Sequence, residues 1–297
     1  DGLIEGFRPG VMERLGLGPE EMLAANERLV YGRITGWGQD GPLAARAGHD
    51  INYLSIAGAL HTVGRHGERP VPPVNYVADF GGGGMLLAFG MVAALLAVAR
   101  GGTGQVVDAA MVDGSALMLA MNWGLMAEGM WRDDRGCNII DGGAHFYDTY
   151  ETADGRYIAL GPVEPQFYAE LLGKLGLGDD PDLSAQRDPK TWDGGRAKLA
   201  ALLKTRPRSH WEEVFEGSDA CVSPVLSMTE ATVYPHNVAR ETYREIGGRM
   251  QPMPAPRFSA TPAATPGAEA GDPSALLDEL GYSRAEIAAL RASGAIA

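Results

Sequence analysis

Cysteine is scarce in this chain of 297 residues, which contains only Cys137 and Cys221. The two lie far apart and lack the paired spacing that structural metal sites and dithiol redox sites use. The sequence therefore predicts no metal site and no disulfide chemistry. A reducing, cytoplasmic setting fits this cysteine usage best.

Positive charge is also sparse, with 25 lysines and arginines against 38 aspartates and glutamates and a formal net charge of −13. Such a chain repels polyanions at long range, which argues against nucleic acid or an anionic membrane as the general partner. A ligand that carries phosphate groups would need a local cluster of arginines.

Long apolar segments are missing as well. The longest run covers residues 85–99, about fifteen positions, whereas a helix that crosses a bilayer needs roughly twenty. We therefore expect a buried helix here. The chain opens with the letters DGLIE, without methionine or a basic and then apolar leader, so we expect a chain that lacks its true N-terminus.

Strand and helix patterns alternate in the first half, within an apolar fraction of 45% that is typical of a soluble globular protein. Strands are predicted at residues 3–4, 29–36 and 105–109, and helices at 11–15, 50–59, 82–99 and 111–130. This alternation predicts an α/β fold with parallel strands.

The pattern changes near residue 146. Residues 146–152 and 156–160 are β-rich and are joined by the letters ADG, a hairpin signal. The proline- and alanine-rich residues 249–273 predict an extended arm, followed by a helix over 276–292 with Ser274 as its cap. We predict a large domain over 1–145, a small domain over 146–245, and a linker with C-terminal helices that return to the large domain over 246–297.

Two polar segments precede predicted helices: residues 47–50 (AGHD) and residues 75–84 (NYVADFGGGG). A carboxylate at a helix start meets free N–H groups and the positive end of the dipole, so Asp79 is expected to be ionised there. The four glycines would let a ligand approach this backbone closely. The alternative is that Asp79 only caps the helix, the glycines only permit close packing, and His49 is structural.

Four runs together resemble the family III CoA-transferase superfamily. They are residues 4–10 (IEGFRPG), 34–42 (ITGWGQDGP), 48–53 (GHDINY) and 75–79 (NYVAD). Within the superfamily they are most similar to the bacterial racemases of α-methylacyl-CoA thioesters. The resemblance implies a large α/β domain with a Rossmann-like CoA site, a smaller α+β domain, and a homodimer of two chains interlocked like linked rings. It also implies that the first βα units of the large domain, and part of the CoA site, are missing from this chain.

The resemblance further implies a reaction at the carbon next to the thioester of an acyl-CoA, with no cofactor beyond the CoA that the substrate carries. Removal of this proton needs a base, and inversion needs an acid on the opposite face. Asp79 as the carboxylate and His49 as the imidazolium are the predicted pair. N–H groups at the glycine-rich helix start are expected to stabilise the enolate.

Further positions follow from the same resemblance. Glu164 is expected to reach from the partner chain and hold His49 charged, and Asn75 to orient Asp79. Arg8 and Arg14 are expected at the CoA phosphates, and Gly6, Gly48 and Tyr53 along the same ligand. Taken alone, each is an ordinary loop residue or solvated charge.

Two other functions stay open. A CoA-transferase would use Asp79 as a nucleophile and form an acyl anhydride, a mechanism that does not need His49. A non-catalytic CoA-binding relic is the second alternative. Met111, Met118, Met121, Met126 and Met130 form a run that is expected mainly in the core, with an acyl-chain surface as the alternative.

Overall fold

A three-stranded parallel sheet organises the first half of the chain in the computed structural model, which describes residues 1–267 and 273–296. Strand β1 (Gly2–Glu5) pairs with β2 (Val30–Thr35), and β2 pairs with β3 (Gln105–Ala110), in the order β1-β2-β3. The central strand β2 is almost wholly buried, as expected for a parallel sheet that is covered on its faces. The predicted α/β class and the parallel pairing are confirmed.

Six α-helices are described in this half: α1 (Val11–Arg14), α2 (Pro19–Ala25), α3 (Asp50–Ala57), α4 (Leu86–Ala99), α5 (Met111–Met118) and α6 (Ala120–Ala127). A 3-10 turn (Leu60–Thr62) follows α3, and a π-helix (Tyr76–Met85) runs directly into α4. The single helix predicted over 111–130 is wrong, since Leu119, with a ψ of 4°, separates α5 from α6.

The π-helix and α4 form one helix of 24 residues, Tyr76–Ala99, which begins six residues before the predicted start. By length and composition it is apolar enough to cross a membrane, a test that core helices of soluble proteins also pass. One face packs on the sheet through Leu87, Met91, Ala94 and Val98. Phe89, Val92 and Leu96 are 50–74% exposed on the chain described here, so the prediction of a buried helix holds for one face only.

A second core begins near residue 144. It is built on the antiparallel sheet of β4 (Asp148–Glu151), β5 (Tyr157–Leu160) and β6 (Val222–Pro224), and on helices α7 (Pro165–Leu175), α8 (Trp192–Leu203) and α9 (Arg208–Phe215). A 3-10 turn (Pro189–Thr191) precedes α8. The predicted hairpin is present, with Gly155 at a φ of 73° in its turn. Aromatic residues such as Phe146 and Trp192 fill this core, which is separate from the cluster on the parallel sheet.

The remaining residues form a compact unit that starts at Leu226, whereas residues 1–225 form the other. It contains α10 (Met228–Val233), α11 (Pro235–Ala239), β7 (Tyr243–Ile246), β8 (Arg249–Pro252), α12 (Pro273–Glu279) and α13 (Arg284–Ala292). The boundary between the two units, after residue 225, therefore lies about twenty residues before the predicted boundary at 245.

Two local predictions fail in this unit. Strand β8 occupies the start of the predicted arm, because Gly247 and Gly248, both at positive φ, close a two-residue hairpin turn with β7. Residues 253–267 form neither helix nor strand, and 268–272 lie outside the described residues. The predicted C-terminal helix is two helices, because Ser283 caps α13 while Ser274 lies inside α12.

Candidate active site

The segments that carry His49 and Asp79 are in direct contact. Helix α3 begins at Asp50, and its side-chain Oδ2 accepts hydrogen bonds from the backbone N–H groups of Ala78 (2.8 Å) and Asp79 (2.9 Å). His49 is the N-cap of the same helix. The N-cap of α3, His49, and the first turn of the π-helix, which holds Asp79, are therefore linked, although 30 positions separate the two residues in the chain.

Asp79 does not occupy the helix start itself. The π-helix begins at Tyr76, so Asp79 lies in its first turn, where the N–H groups of Ala78 and Asp79 donate to Asp50. The prediction that Asp79 meets the free N–H groups is wrong, because Asp50 accepts them, whereas the first-turn position of Asp79 keeps it near the positive end of the helix dipole. Asp79 is half-buried, and its Oδ2 accepts a 3.3 Å hydrogen bond from Nδ2 of Asn75.

The glycines after Asp79 serve helix packing. Gly82 and Gly83 are buried inside the π-helix, and a Cβ on Gly82 would lie 2.9 Å from the backbone nitrogen of Ser115 in α5. A Cβ on Gly114 would overlap the carbonyl oxygen of Gly82. The expected ligand contact with the N–H groups of a glycine-rich helix start is therefore wrong, because these groups lie within a helix that packs on α5.

His49 presents its side chain to solvent. Its backbone N–H donates to Oδ1 of Asn52 (3.1 Å), which fixes the N-terminal turn of α3. The N–H groups of Asn52 and Tyr53 donate to the carbonyl oxygen of His49 at 2.8 and 3.2 Å, so those of Asp50 and Ile51 are the ones with no acceptor within the helix. The exposed imidazole of His49 and the half-buried carboxylate of Asp79 thus lie on two segments that Asp50 links through the backbone of Ala78 and Asp79.

Tyr53 packs closely against Gly48 and Trp37. Its hydroxyl donates a 2.5 Å hydrogen bond to the carbonyl oxygen of Gly48, and its ring meets Trp37 edge-on at 4.8 Å. A Cβ on Gly48 would lie 2.7 Å from the Tyr53 ring. Burial and, to a smaller extent, the charge of Asp79 raise the pKa of Tyr53. Gly48 and Tyr53 therefore have a packing role, and their contact with CoA stays a prediction.

The loop that carries Gly6 and Arg8 is held by hydrogen bonds of buried charged residues, which were not predicted from the sequence. Glu5 accepts from Nε of Arg33 (2.7 Å) and from the N–H of Phe7 (2.7 Å). Arg33 also pairs with Glu13 at 2.8 Å in α1, and this hydrogen bond lowers the pKa of Glu13. The sequence signal for this ion pair was the presence of Glu5 and Arg33 within the otherwise apolar strands β1 and β2.

Both predicted CoA arginines are exposed, Arg8 in the loop after β1 and Arg14 in the last turn of α1. Both follow the carboxyl end of a strand of the parallel sheet, the edge at which α/β proteins bind their ligands. Gly6 is exposed in the same loop. The structure thus leaves these three positions open to a ligand.

Glu164 is exposed at the N-cap of α7. Burial, and then the charge of Glu164, raise the pKa of the Cys221 thiol. Among the described residues of the single chain, Glu164 makes no hydrogen bond or ion pair with His49. The predicted contact is one across a dimer, and it stays a prediction.

The methionine run is more exposed than expected. Met118, Met121 and Met130 are 45–61% exposed, which overturns the expectation of ordinary core packing for these three. Met121 lines a cavity of about 790 Å³ together with Trp131, Tyr147 and Cys221. The alternative of an apolar ligand surface is therefore retained.

Neither cysteine forms a disulfide. The Cys137 thiol, His66 and Asp134 hold potential metal ligands within 4.8 Å of one another, two of them on exposed residues. Burial raises the pKa of the Cys137 thiol, which opposes formation of the thiolate that a metal would need. This group lies on other segments than the predicted catalytic residues.

Comparison with known proteins agrees with the motifs. Residues 1–275 match the family model described as CoA-transferase family III. The chain is 46% identical over 97% of its length to a mouse protein named alpha-methylacyl-CoA racemase, and 42% identical to the human protein of that name, covering 76% of each. A CAIB/BAIF family protein from Brucella suis superimposes with a TM-score of 0.74 and 26% identity, over 94% of this chain and 75% of that structure. This chain belongs to CoA-transferase family III.

Proposed function

We propose that this protein is a racemase that interconverts (2R)- and (2S)-2-methylacyl-CoA thioesters by α-proton transfer. The observation that carries the proposal is the contact of the two helix starts through Asp50, which brings the segments of His49 and Asp79 together. The names and identities of the mouse and human relatives support the same reaction.

The reaction needs one base and one acid on opposite faces of the α-carbon. The Asp79 carboxylate takes the α-proton of one enantiomer, and the electron pair of the C–H bond moves to the thioester oxygen to form an enolate. The His49 imidazolium then delivers its proton to the other face. The opposite enantiomer follows the reverse route, which regenerates the starting protonation states.

The free N–H groups at the start of α3 replace the glycine-rich segment as donors to the enolate oxygen. These N–H groups, those of Asp50 and Ile51, directly follow His49, the N-cap of α3, and the positive end of the helix dipole favours developing negative charge there. Arg8 and Arg14 would bind the phosphates of CoA at the carboxyl edge of a Rossmann-like sheet. The exposed methionines of α5 and α6 offer the acyl chain an apolar, adaptable surface.

A homodimer of interlocked chains would complete the site, with Glu164 of one chain beside His49 of the other. The exposed position of Glu164 at the start of α7 supports this arrangement. The cytoplasmic setting, the absence of a further cofactor, and the absence of nucleic-acid and membrane partners are proposed with it, on the net charge of −13 and the cysteine usage.

Incubation with a single enantiomer of a 2-methylacyl-CoA in deuterium oxide tests the function. The expected result is α-deuteration together with inversion, detected by NMR and chiral analysis. Asp79→Asn should abolish inversion and reduce exchange, whereas Asp193→Asn, which alters an exposed aspartate in the first turn of α8, should change neither.

Two results would overturn the proposal. Failure of the unaltered protein to exchange the α-proton would leave the non-catalytic alternative. An acyl adduct trapped on Asp79 during turnover, with CoA transferred to an added carboxylate, would establish the transferase alternative instead.

A further inference from the structure

The buried residue Asp50 follows His49 in the chain and accepts the backbone N–H of Asp79, and it has no role in the reaction as described. Its side chain is on a residue that is only 5% exposed. One oxygen, Oδ2, accepts both backbone hydrogen bonds from the π-helix. The other, Oδ1, is buried with no hydrogen-bond partner among the described residues. Burying a carboxylate with an unpaired oxygen costs folding free energy, so we expect Asp50 to serve a function that offsets this cost.

The hydrogen bonds of Asp50 link two helix starts. The first N–H groups of a helix have no acceptor within it, and those of Ala78 and Asp79 are satisfied by a side chain 28 and 29 positions away. A charged acceptor at the positive end of a helix makes a strong and directional bond. Asp50 therefore fixes the backbone of Asp79 relative to the turn that presents His49.

Resting on the proposed racemase function, we infer that Asp50 is a positioning residue that keeps the two proton carriers aligned on opposite faces of the α-carbon. Asp50 itself does not exchange the proton. Inversion requires both carriers to be in place at once, whereas exchange with retention requires one carrier and solvent. Loss of the link should therefore impair inversion more than exchange.

The test compares these two rates in deuterium oxide, by following deuterium in recovered substrate and in the inverted product. In Asp50→Ala, inversion should fall about 100-fold, the loss that a misplacement of about 1 Å can cause. Exchange into recovered substrate should fall by less, so that the ratio of exchange to inversion rises at least about tenfold.

Asp50→Asn is the conservative variant. Its amide oxygen can still accept both N–H groups, so the ratio of exchange to inversion should return to within about threefold of the unaltered protein. Asp50→Glu keeps the charge but displaces it by one methylene group, and should raise the ratio even if Asp50→Ala does not fold.

An equal loss of exchange and inversion in both Asp50→Ala and Asp50→Glu would overturn the inference, because a purely structural residue lowers both rates together. Unchanged inversion in either variant would overturn it as well. Failure of the proposed function is separate, since it would show as no exchange in the unaltered protein.

Discussion

Nδ2 of Asn75 lies 3.3 Å from Oδ2 of Asp79, across the first turn of the π-helix. The amide thus restrains the carboxylate that we assign as the base. A hydrogen bond to a charged group contributes about 1.5–3 kcal/mol when buried, and less here because Asn75 is exposed.

We expect Asn75→Ala to lower kcat about 5- to 10-fold with little change in KM, because the bond orients the base and does not bind CoA. Steady-state kinetics of racemisation measure both constants. Asn26→Ala is the control, since Asn26 accepts a comparable exposed bond from the N–H of Arg28. An unchanged kcat in Asn75→Ala would show that Asp79 needs no orientation by this amide.

Complementation between subunits tests the role of Glu164. His49→Ala and Glu164→Ala homodimers should each lose most activity. A heterodimer of the two variants has one site with both residues intact if Glu164 acts across the interface, and none if it acts within its own chain.

Co-expression of the two variants with different tags would isolate the heterodimer. We expect about half the activity of the unaltered dimer, because one of two sites is complete. Activity no higher than that of the parent variants would place Glu164 outside the partner's site. Dilution that dissociates the dimer should likewise abolish activity.

The contact of Gly82 with Gly114 leaves no space for a side chain. Gly114→Ala should therefore reduce the free energy of unfolding by about 1–3 kcal/mol, the usual cost of overpacking. A Cβ on Gly124 in α6 would meet no atom of the described residues within 4 Å, so Gly124→Ala should stabilise the helix by up to about 1 kcal/mol. Urea unfolding of both variants measures the difference, and equal stabilities would contradict this packing.

His145 predicts a pH dependence of stability. It is wholly buried, and its Nε2 lies 2.7 Å from the Tyr168 hydroxyl. Burial, assisted by the charge of Arg196, lowers the pKa of His145 to about 4, against about 6.5 in an unfolded chain. Between these values the unfolded chain binds the proton more tightly, so stability is full above pH 6.5 and falls as the pH drops towards 4.

The loss over this window should reach up to about 3 kcal/mol. Urea unfolding between pH 4 and 7.5 measures it, with His145→Asn as the comparison, because this variant has no titrating group at the position. The variant should show a correspondingly weaker pH dependence. Parallel curves for the two proteins would mean that His145 is not held neutral by burial.

The local sequence was sufficient to predict several strands and one hairpin. The apolar strands β1, β2 and β3, and the hairpin around Gly155, follow from side-chain patterns within a few residues. The motifs that carry the family resemblance also identified His49 and Asp79. They indicated the hydrogen bond from Asn75 to Asp79 as well, and these two residues are only four positions apart. The breaks at Leu119 and Gly281 were missed, since helix periodicity continues through both.

By itself, the sequence determined the α/β class and the parallel pairing of the strands, and its family resemblance identified the candidate proton carriers. Only the tertiary structure decided that Asp50, and not Asp79, accepts the N–H groups of Ala78 and Asp79, and that Gly82 packs against Gly114. Each of these contacts joins positions about 30 residues apart. Local propensity does not encode which buried donor meets which acceptor; that pairing is set when the two helices pack and their polar groups must be satisfied without water.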